Sequence, residues 1–251
     1  MVPGVDELLD EFHGVSVFSK LDLRAGYHKI CVAPEDAYKS AFRTVDNHFK
    51  FLVMPFSFYN APLTFQSSNN FFVKLSKCIF GVPIVDYLGH VISADGVAAD
   101  PAKLQAIVDW PPLRSITELR AFLGLTGYYS RFVQHYAAIV GPLSDLLKGR
   151  YFHWSFVATA AFSALKSAMM QLPVLSLPDF TLPFDITTDA SQVVIRAVLS
   201  QNRRLLAFFS KKLGSRMHTT SAYNREMYAI SKSVRKWRQY LLGRKFHIFT
   251  D

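Results

Sequence analysis

Two hydrophobic patterns alternate along the chain and predict different elements. Before residue 95, apolar residues form short runs broken by proline, glycine and acidic turns, which is typical of strands. From Pro101 they step by three and four, which predicts helices up to the Pro111-Pro112 pair, from a cap at Thr117, and over 162–169. The strands are predicted at 16–23, 28–32, 40–44, 49–54 and 86–93, with short helices at 5–12 and from Pro62.

The last part of the chain returns to a strand pattern. After a proline-bearing stretch at 173–183, which we interpret as a linker, strands are predicted at 184–188, 197–201, 205–210 and 246–250. One helix is predicted over 221–242, and its large apolar residues are expected to pack on that sheet: Tyr223, Met227, Ile230, Val234, Trp237 and Leu241. These elements together predict an α+β fold.

Positive charge is concentrated in the C-terminal part of the chain. Residues 181–251 hold 13 of the 28 Lys and Arg but only 4 of the 19 Asp and Glu, which equals the entire formal net charge of +9. Clustered basic residues gain affinity for polyanions by releasing phosphate counterions, which favours a nucleic-acid partner. A basic face that serves only solubility is the alternative.

Composition argues against several other classes of protein. The two cysteines, Cys31 and Cys78, lie far apart, and no Cys/His array has zinc spacing. The acidic N-terminus does not resemble a signal peptide, and the uncharged stretch 51–73 is broken by prolines and polar amides. We therefore expect a soluble intracellular protein, cytoplasmic or nuclear, with no membrane contact.

Four carboxylates stand at positions where a metal ion could be held. Asp22 follows an apolar run beside a glycine-containing turn, although a turn or cap aspartate is the commoner case. Asp189 and Asp251 end predicted strands, and Glu226 lies on the helix expected to cross them, so a divalent cation could join these three. The alternative is structural: a turn cap, a pair between Glu226 and Lys232, and a terminal residue.

Several motifs then carry a resemblance. They are FSKLDLRAGYHKI, KSAFRT, VMPF with NAP and FQ, KLSKC with FG, YLGHVIS, LRAFLGLTGYYSRFV, TDAS at 188–191, and SKKL with WRQYLLGRKF. Together they resemble the Pol region of gypsy-type LTR retrotransposons, in which reverse transcriptase leads into ribonuclease H. The match runs nearly from end to end of the chain.

The resemblance implies roles for residues of the polymerase part. Asp22 corresponds to the first metal-binding aspartate of the polymerase palm, and Tyr27 to the aromatic residue that screens the 2′ position of the sugar. Ala25 and Gly26 would line the triphosphate site, and Phe56 would lie near the incoming nucleotide.

In the C-terminal part, the resemblance implies a ribonuclease H site that hydrolyses RNA in an RNA–DNA hybrid with two magnesium ions. Asp189, Glu226 and Asp251 correspond to its first three acids. The implied partner is nucleic acid, either the hybrid or a template–primer. The resemblance leaves the oligomeric state open.

Departures from the family pattern limit the activities that the resemblance implies. The family carries a Tyr-x-Asp-Asp hairpin between the positions of residues 66 and 74, and this sequence contains no such motif. Asp22 alone would leave the metals with too few ligands, so we predict loss of polymerase activity. The chain stops at Asp251, before the family's fourth acid, and Val194 and Arg196 replace small residues, which argues against ribonuclease H activity.

The resemblance divides the chain into three predicted domains. Residues 1–95 would form an incomplete reverse transcriptase palm, 96–180 a helical thumb or connection, and 181–251 a truncated ribonuclease H-like mixed sheet with one packing helix. Three hypotheses follow: an enzyme-derived chain without polymerase activity, a non-catalytic nucleic-acid-binding remnant, or a gene-model artefact in which the hairpin was removed as a false intron.

Overall fold

A computed structural model describes residues 5–22, 30–55, 58, 64–65, 73–149 and 152–250 of the chain. Its contacts separate two compact units. The first comprises residues 1–8 and 16–85, and the second comprises residues 9–15 and 86–251. Among the described residues, no helix combines the length and apolar character needed to cross a membrane.

The first unit contains short elements in place of the longer predicted strands. The run at 16–23 contributes only β1, Phe18–Lys20, which pairs antiparallel with β4, Ile79–Val82. A second antiparallel pair joins β2, Phe42–Arg43, to β3, His48–Phe49. The acidic turn expected at 34–36 is the start of a longer 3-10 helix, Pro34–Ser40, which begins at Pro34 because the first helical position needs no backbone donor.

Other predictions in this unit fall partly outside the described residues. Of the strand expected at 28–32, the structure describes 30–32, where Cys31 forms an isolated bridge with Val53. Of the helix expected from Pro62, only Thr64 and Phe65 are described, and both are helical. The remaining described helix is α1, Val5–Asp10, which runs across the division between the units.

The single strand predicted at 86–93 is wrong, because the chain turns within it. Strand β5, Ile84–Tyr87, is followed by β6, His90–Ser93, and the two are joined by Leu88 and Gly89, with φ of 48° and 73°. This left-handed backbone makes a tight hairpin turn, which the apolar side chain of Leu88 conceals in the sequence. Strand β7, Gly96–Ala99, pairs antiparallel with β6 and completes the three-stranded sheet.

The predicted helices after Pro101 are present, with corrected boundaries. Helix α2 is Pro101–Val108, and α3 is Ile116–Tyr128. The cap of α3 is Ser115 and not Thr117, because the Ser115 hydroxyl accepts a hydrogen bond from the backbone N–H of Glu118 at 3.2 Å. After a 3-10 turn at Ser130–Phe132, the helices are α4, Tyr136–Ile139, α5, Gly141–Leu146, and α6, Phe156–Met169.

Aromatic residues of the helical region and the predicted linker both belong to the packed structure of the second unit. Tyr129 and Phe132 are fully buried. The stretch 173–183 is anchored and is not a free linker, because Leu175 and Val97 exchange two backbone hydrogen bonds, of 2.8 and 2.9 Å.

The C-terminal sheet has the order β10-β9-β8-β11 and is mixed, because it contains both antiparallel and parallel pairs. Strands β8 (Phe184–Ala190), β9 (Val194–Gln201) and β10 (Arg204–Lys212) form an antiparallel meander. Strand β11, Phe246–Thr250, lies parallel to β8, so the chain must cross over between them. The crossover contains α7 (Ser215–His218), α8 (Ala222–Lys236) and α9 (Arg238–Leu241).

The predicted packing face of the long helix is partly wrong. Tyr223 and Met227 are 72% and 48% exposed, whereas Ala229 and Ser233 are completely buried. Small residues therefore line the part of α8 nearest the sheet. Farther along the helix, the predicted residue Val234 packs against a core cluster, and Trp237 and Leu241 are buried within it. The buried members of this cluster are Phe184, Ile186, Ala197, Leu199, Leu206, Ala207, Trp237, Tyr240 and Leu241.

Candidate functional site

Glu226 connects helix α8 to two strand ends of the C-terminal sheet. Its Oε1 atom accepts a hydrogen bond of 2.9 Å from the backbone N–H of Ala190, at the end of β8. Its Oε2 atom accepts one of 2.9 Å from the hydroxyl of Thr250, the last residue of β11. Lys232, the structural partner considered above, lies instead over the ring of Tyr228 at 5.0 Å.

Asp189 lies on β8 directly before Ala190, opposite Arg196 in the antiparallel register with β9. Its Oδ2 atom is 3.4 Å from Nε of Arg196. The two side chains are 44% and 38% exposed, so solvent reaches the pair. Asp189 therefore forms a cross-strand ion pair and does not cap a turn.

A histidine from the helical region completes this arrangement. Nη1 of Arg196 lies 3.5 Å from Nδ1 of His135, which precedes α4 in a left-handed backbone conformation with φ of 65°. Partial burial lowers the pKa of His135, and the positive charge of Arg196 lowers it further, while Asp189 acts in the opposite direction. A neutral imidazole can accept a hydrogen bond from the guanidinium.

The structure thus brings two of the predicted acids to one end of the sheet. Asp189 is adjacent in sequence to Ala190, whose N–H binds Glu226, and both acids offer carboxylate oxygen, the ligand that Mg²⁺ prefers. Asp251 follows Thr250 in the sequence and lies outside the described residues. Within the described part of the chain, no group of three His, Cys, Asp or Glu residues could hold a metal ion.

Asp22, the predicted polymerase ligand, belongs to the first unit. Its backbone N–H donates to Sγ of Cys78 at 3.3 Å, and its carbonyl accepts from the N–H of Lys74 at 2.8 Å. The backbone of Asp22 is therefore held by Lys74 and Cys78, which follow the position at which the Tyr-x-Asp-Asp motif is missing. The other residues predicted for the polymerase site, Ala25, Gly26, Tyr27 and Phe56, lie outside the described residues.

Sequence reasoning missed the residues that orient the acids. These are Thr250 at Glu226, and His135 at Arg196. The sequence could have predicted the pairing of Asp189 with Arg196. A hairpin between β8 and β9 that turns at residues 192 and 193 places position 196 opposite position 189. No sequence signal indicated His135, which reaches the sheet only through the tertiary fold.

The basic residues of the C-terminal region lie mainly on its surface, because unpaired charged side chains are rarely buried. Arg196 and Arg225 are partly buried, and Arg225 donates to the carbonyl oxygen of Thr220 at 2.6 Å. The exposed basic residues are Arg203, Arg204, Lys211, Lys212, Arg216, Arg235, Lys236, Arg238, Arg244 and Lys245.

Comparisons with known proteins agree with this architecture. Residues 154–248 match the family described as the RNase H-like domain found in reverse transcriptase. A solved structure of the foamy viral protease-reverse transcriptase in complex with RNA/DNA hybrid superposes with a TM-score of 0.89. It is 17% identical and covers 100% of this chain and 40% of that chain, so the likeness shows the fold.

Curated relatives extend the match to the whole chain. The chain is 34% identical to the retrovirus-related Pol polyprotein from transposon 297 of Drosophila melanogaster, covering 100% of this chain and 28% of that protein. It is 30% identical to the corresponding protein from transposon gypsy, covering 100% and 30%. The chain thus spans less than a third of the length of these relatives. The predicted resemblance is confirmed: over its whole length the chain is similar to part of the retrovirus-related Pol polyproteins of retrotransposons, and its C-terminal residues match the RNase H-like domain found in reverse transcriptase.

Proposed function

We propose that the C-terminal region binds RNA–DNA hybrids and hydrolyses the RNA strand at a divalent-metal site. The observation that carries this proposal is the double hydrogen bond of Glu226, which holds its carboxylate at the ends of β8 and β11, against Thr250 and against Ala190, the residue that follows Asp189. Asp251, the next residue after Thr250, would supply the third acid. Carboxylates grouped in a basic domain repel one another unless a cation neutralises them.

Magnesium fits the oxygen donors of the three candidate acids. Asp189, Glu226 and Asp251 would hold it through oxygen, and relatives of this family generally use divalent metal. A bound magnesium ion supplies an activated water and neutralises charge developing on the phosphate. The protein's own part is to keep Glu226 oriented through Ala190 and Thr250 and to attract the polyanionic strand with its basic surface.

The charge distribution and the fold support a nucleic-acid partner. Residues 181–251 carry the whole positive excess of the chain, which would attract a phosphate backbone, and the foamy viral neighbour was solved with RNA/DNA hybrid. Binding to a hybrid should weaken steeply between about 50 and 200 mM salt, because each neutralised phosphate releases counterions. Binding that is insensitive to salt would contradict this part of the proposal.

Cleavage of an RNA–DNA hybrid with labelled RNA, in the presence of Mg²⁺ or Mn²⁺, tests the activity. We expect cleavage that is lost in Asp189→Asn and Glu226→Gln, and retained in Lys212→Gln, which removes a charge at a different ion pair. Hybrid binding without cleavage in the wild-type chain would favour the second candidate function, a non-catalytic binding protein. The Asp189–Arg196 pair favours that candidate, since Asp189 already has a cationic partner.

We further propose that the chain does not polymerise nucleotides. Asp22 has no second carboxylate from a Tyr-x-Asp-Asp motif, which the sequence lacks, and metal-assisted nucleotidyl transfer needs several ligands to fix both ions. Among the described residues, the carboxylate of Asp22 has no ion-pair partner. Extension of a primed RNA template by the purified chain with magnesium would refute this proposal.

A further inference from the structure

We propose that Arg196 is a built-in counter-ion of Asp189 that competes with the divalent cation and thereby sets the metal affinity of the site. This inference rests on the proposed function, because it takes Asp189 to be a metal ligand. It adds a residue that is not itself a metal ligand but changes the affinity of the acids for the metal ion. Arg196 acts through Asp189, so it is a positioning residue.

The strand register places Arg196 beside the acid. Asp189 on β8 is the direct antiparallel partner of Arg196 on β9, so their side chains project from the same face of the sheet. Oδ2 of Asp189 is 3.4 Å from Nε of Arg196. A guanidinium at this distance occupies part of the space that a metal ion would need. It also neutralises part of the negative charge that would attract the ion.

The guanidinium is also held from its other side. Nη1 of Arg196 lies 3.5 Å from Nδ1 of His135. His135 is itself kept near the sheet, because the next helix is bound to β10: the backbone N–H of Ala137 donates to the Ser210 hydroxyl at 2.8 Å. Ser210 is the partner of Arg196 in the β9–β10 register.

Two effects then act against a metal ion at Asp189. The ion must displace Nε of Arg196 from the carboxylate, and it must enter the field of a fixed positive charge. Both side chains are partly exposed, so solvent and salt screen this field and the effect is moderate. Removing the charge should therefore tighten metal binding without affecting the fold.

Titration of the full chain with Mn²⁺, followed by the electron paramagnetic resonance signal of the free ion, tests the inference. We expect Arg196→Gln to bind Mn²⁺ about fivefold more tightly than the wild type, as a partly screened ion pair allows. Arg196→Lys should stay near the wild type because it keeps the charge. Lys212→Gln, which removes a strand-borne charge paired with Asp145, is the matched control and should leave the affinity unchanged.

The possible outcomes separate the inference from the proposed function. If Asp189→Asn abolishes Mn²⁺ binding but Arg196→Gln leaves the affinity unchanged or weaker, the inference is wrong while the metal site stands. Equal tightening by Arg196→Gln and Arg196→Lys would also overturn it, since charge would not be the cause. If Asp189→Asn binds Mn²⁺ like the wild type, the proposed site itself fails.

A second variant, His135→Gln, allows the inference to be tested even if Arg196→Gln does not fold. His135→Gln releases the far side of the guanidinium and leaves the strand sequence intact. We expect Mn²⁺ affinity about twofold higher in His135→Gln, because a less restrained arginine competes less well. Unchanged or reduced affinity in this variant, with a wild-type thermal unfolding midpoint, would contradict the inference.

Discussion

The hydroxyl of Thr250 donates a hydrogen bond of 2.9 Å to Oε2 of Glu226. This bond connects the last described position of β11 to helix α8. Because the other carboxylate oxygen is bound by the N–H of Ala190, the orientation of Glu226 depends on two different strands. Loss of either bond should loosen the acid before it unfolds the domain.

Replacing Thr250 with valine tests this orientation. The hydrogen bond is solvent-exposed, so we expect the free energy of unfolding to fall by only about 0.5 kcal/mol. Mn²⁺ affinity should fall as well, because Glu226 keeps only one of its restraints. Urea unfolding and Mn²⁺ titration measure the two effects. The matched control is Thr187→Val on the exposed face of β8, for which wild-type affinity is expected.

Gly96 should not tolerate a side chain. Its φ of 138° is unfavourable for other residues, and a Cβ atom would overlap the carbonyl oxygen of Leu175. We expect Gly96→Ala to lower the free energy of unfolding by about 2–3 kcal/mol, because the paired segments must separate. Gly124→Ala is the control: it lies within α3 with open space around it, and should stabilise by about 0.5–1 kcal/mol. Equal effects of the two substitutions in urea unfolding would contradict this account.

The N-terminus of α3 has two candidate capping residues, Ser115 and Thr117, and the structure assigns the cap to Ser115. Ser115 accepts the N–H of Glu118 at 3.2 Å, and Oε2 of Glu118 in turn accepts the N–H of Arg114 at 2.7 Å. We expect Ser115→Ala to cost about 1 kcal/mol of stability in denaturant unfolding. Thr117 lies two residues after Ser115, inside the helix. Thr117→Ala should therefore be neutral or stabilise the fold by up to about 0.5 kcal/mol, since alanine favours the helix. The reverse order would show that Thr117 is the cap.

Asp145 gives the second unit a defined response to acid. Hydrogen bonds from Lys212 and Lys148, at 2.6 and 2.9 Å, hold the pKa of Asp145 below its usual value of 3.8. A carboxylate with a lowered pKa in the folded state stabilises the fold above its unfolded pKa, and this stabilisation disappears as pH falls through the folded value.

The Asp145→Asn variant should therefore be less stable than the wild type at pH 7, and the difference should shrink as the pH falls below 3.8 and through the lowered pKa of Asp145 in the folded state. The pair is half-exposed, so the difference at pH 7 should be under about 1 kcal/mol. Urea unfolding of both proteins across this range measures it. A difference that stays constant with pH would show that the loss arises from packing and not from charge.

Local pattern predicted the C-terminal elements well because their signals are local. Short apolar runs predict the strands β8, β9 and β10, with clear alternation along β8, and the observed strands extend the predicted ones by a few residues. The hairpin at Leu88 and Gly89 was missed because a left-handed leucine has no sequence signature.

The face of α8 shows why packing was harder to predict. Hydrophobic stepping selected Tyr223 and Met227, but the sheet approaches the side that carries Ala229 and Ser233. Small residues allow a helix to lie close to a sheet, and such proximity depends on strands far away in the sequence. Size complementarity, and not hydrophobicity alone, decided which residues are buried.

The sequence by itself determined the family, the order of elements in the C-terminal region, and the identity of the candidate acids, because motifs and periodicity are properties of the linear chain. Only the tertiary structure decided that Glu226 is held between Ala190 and Thr250, and that Arg196 stands between Asp189 and His135. These contacts join residues that are up to 61 positions apart, so they depend on strand register and helix docking, which no local pattern specifies.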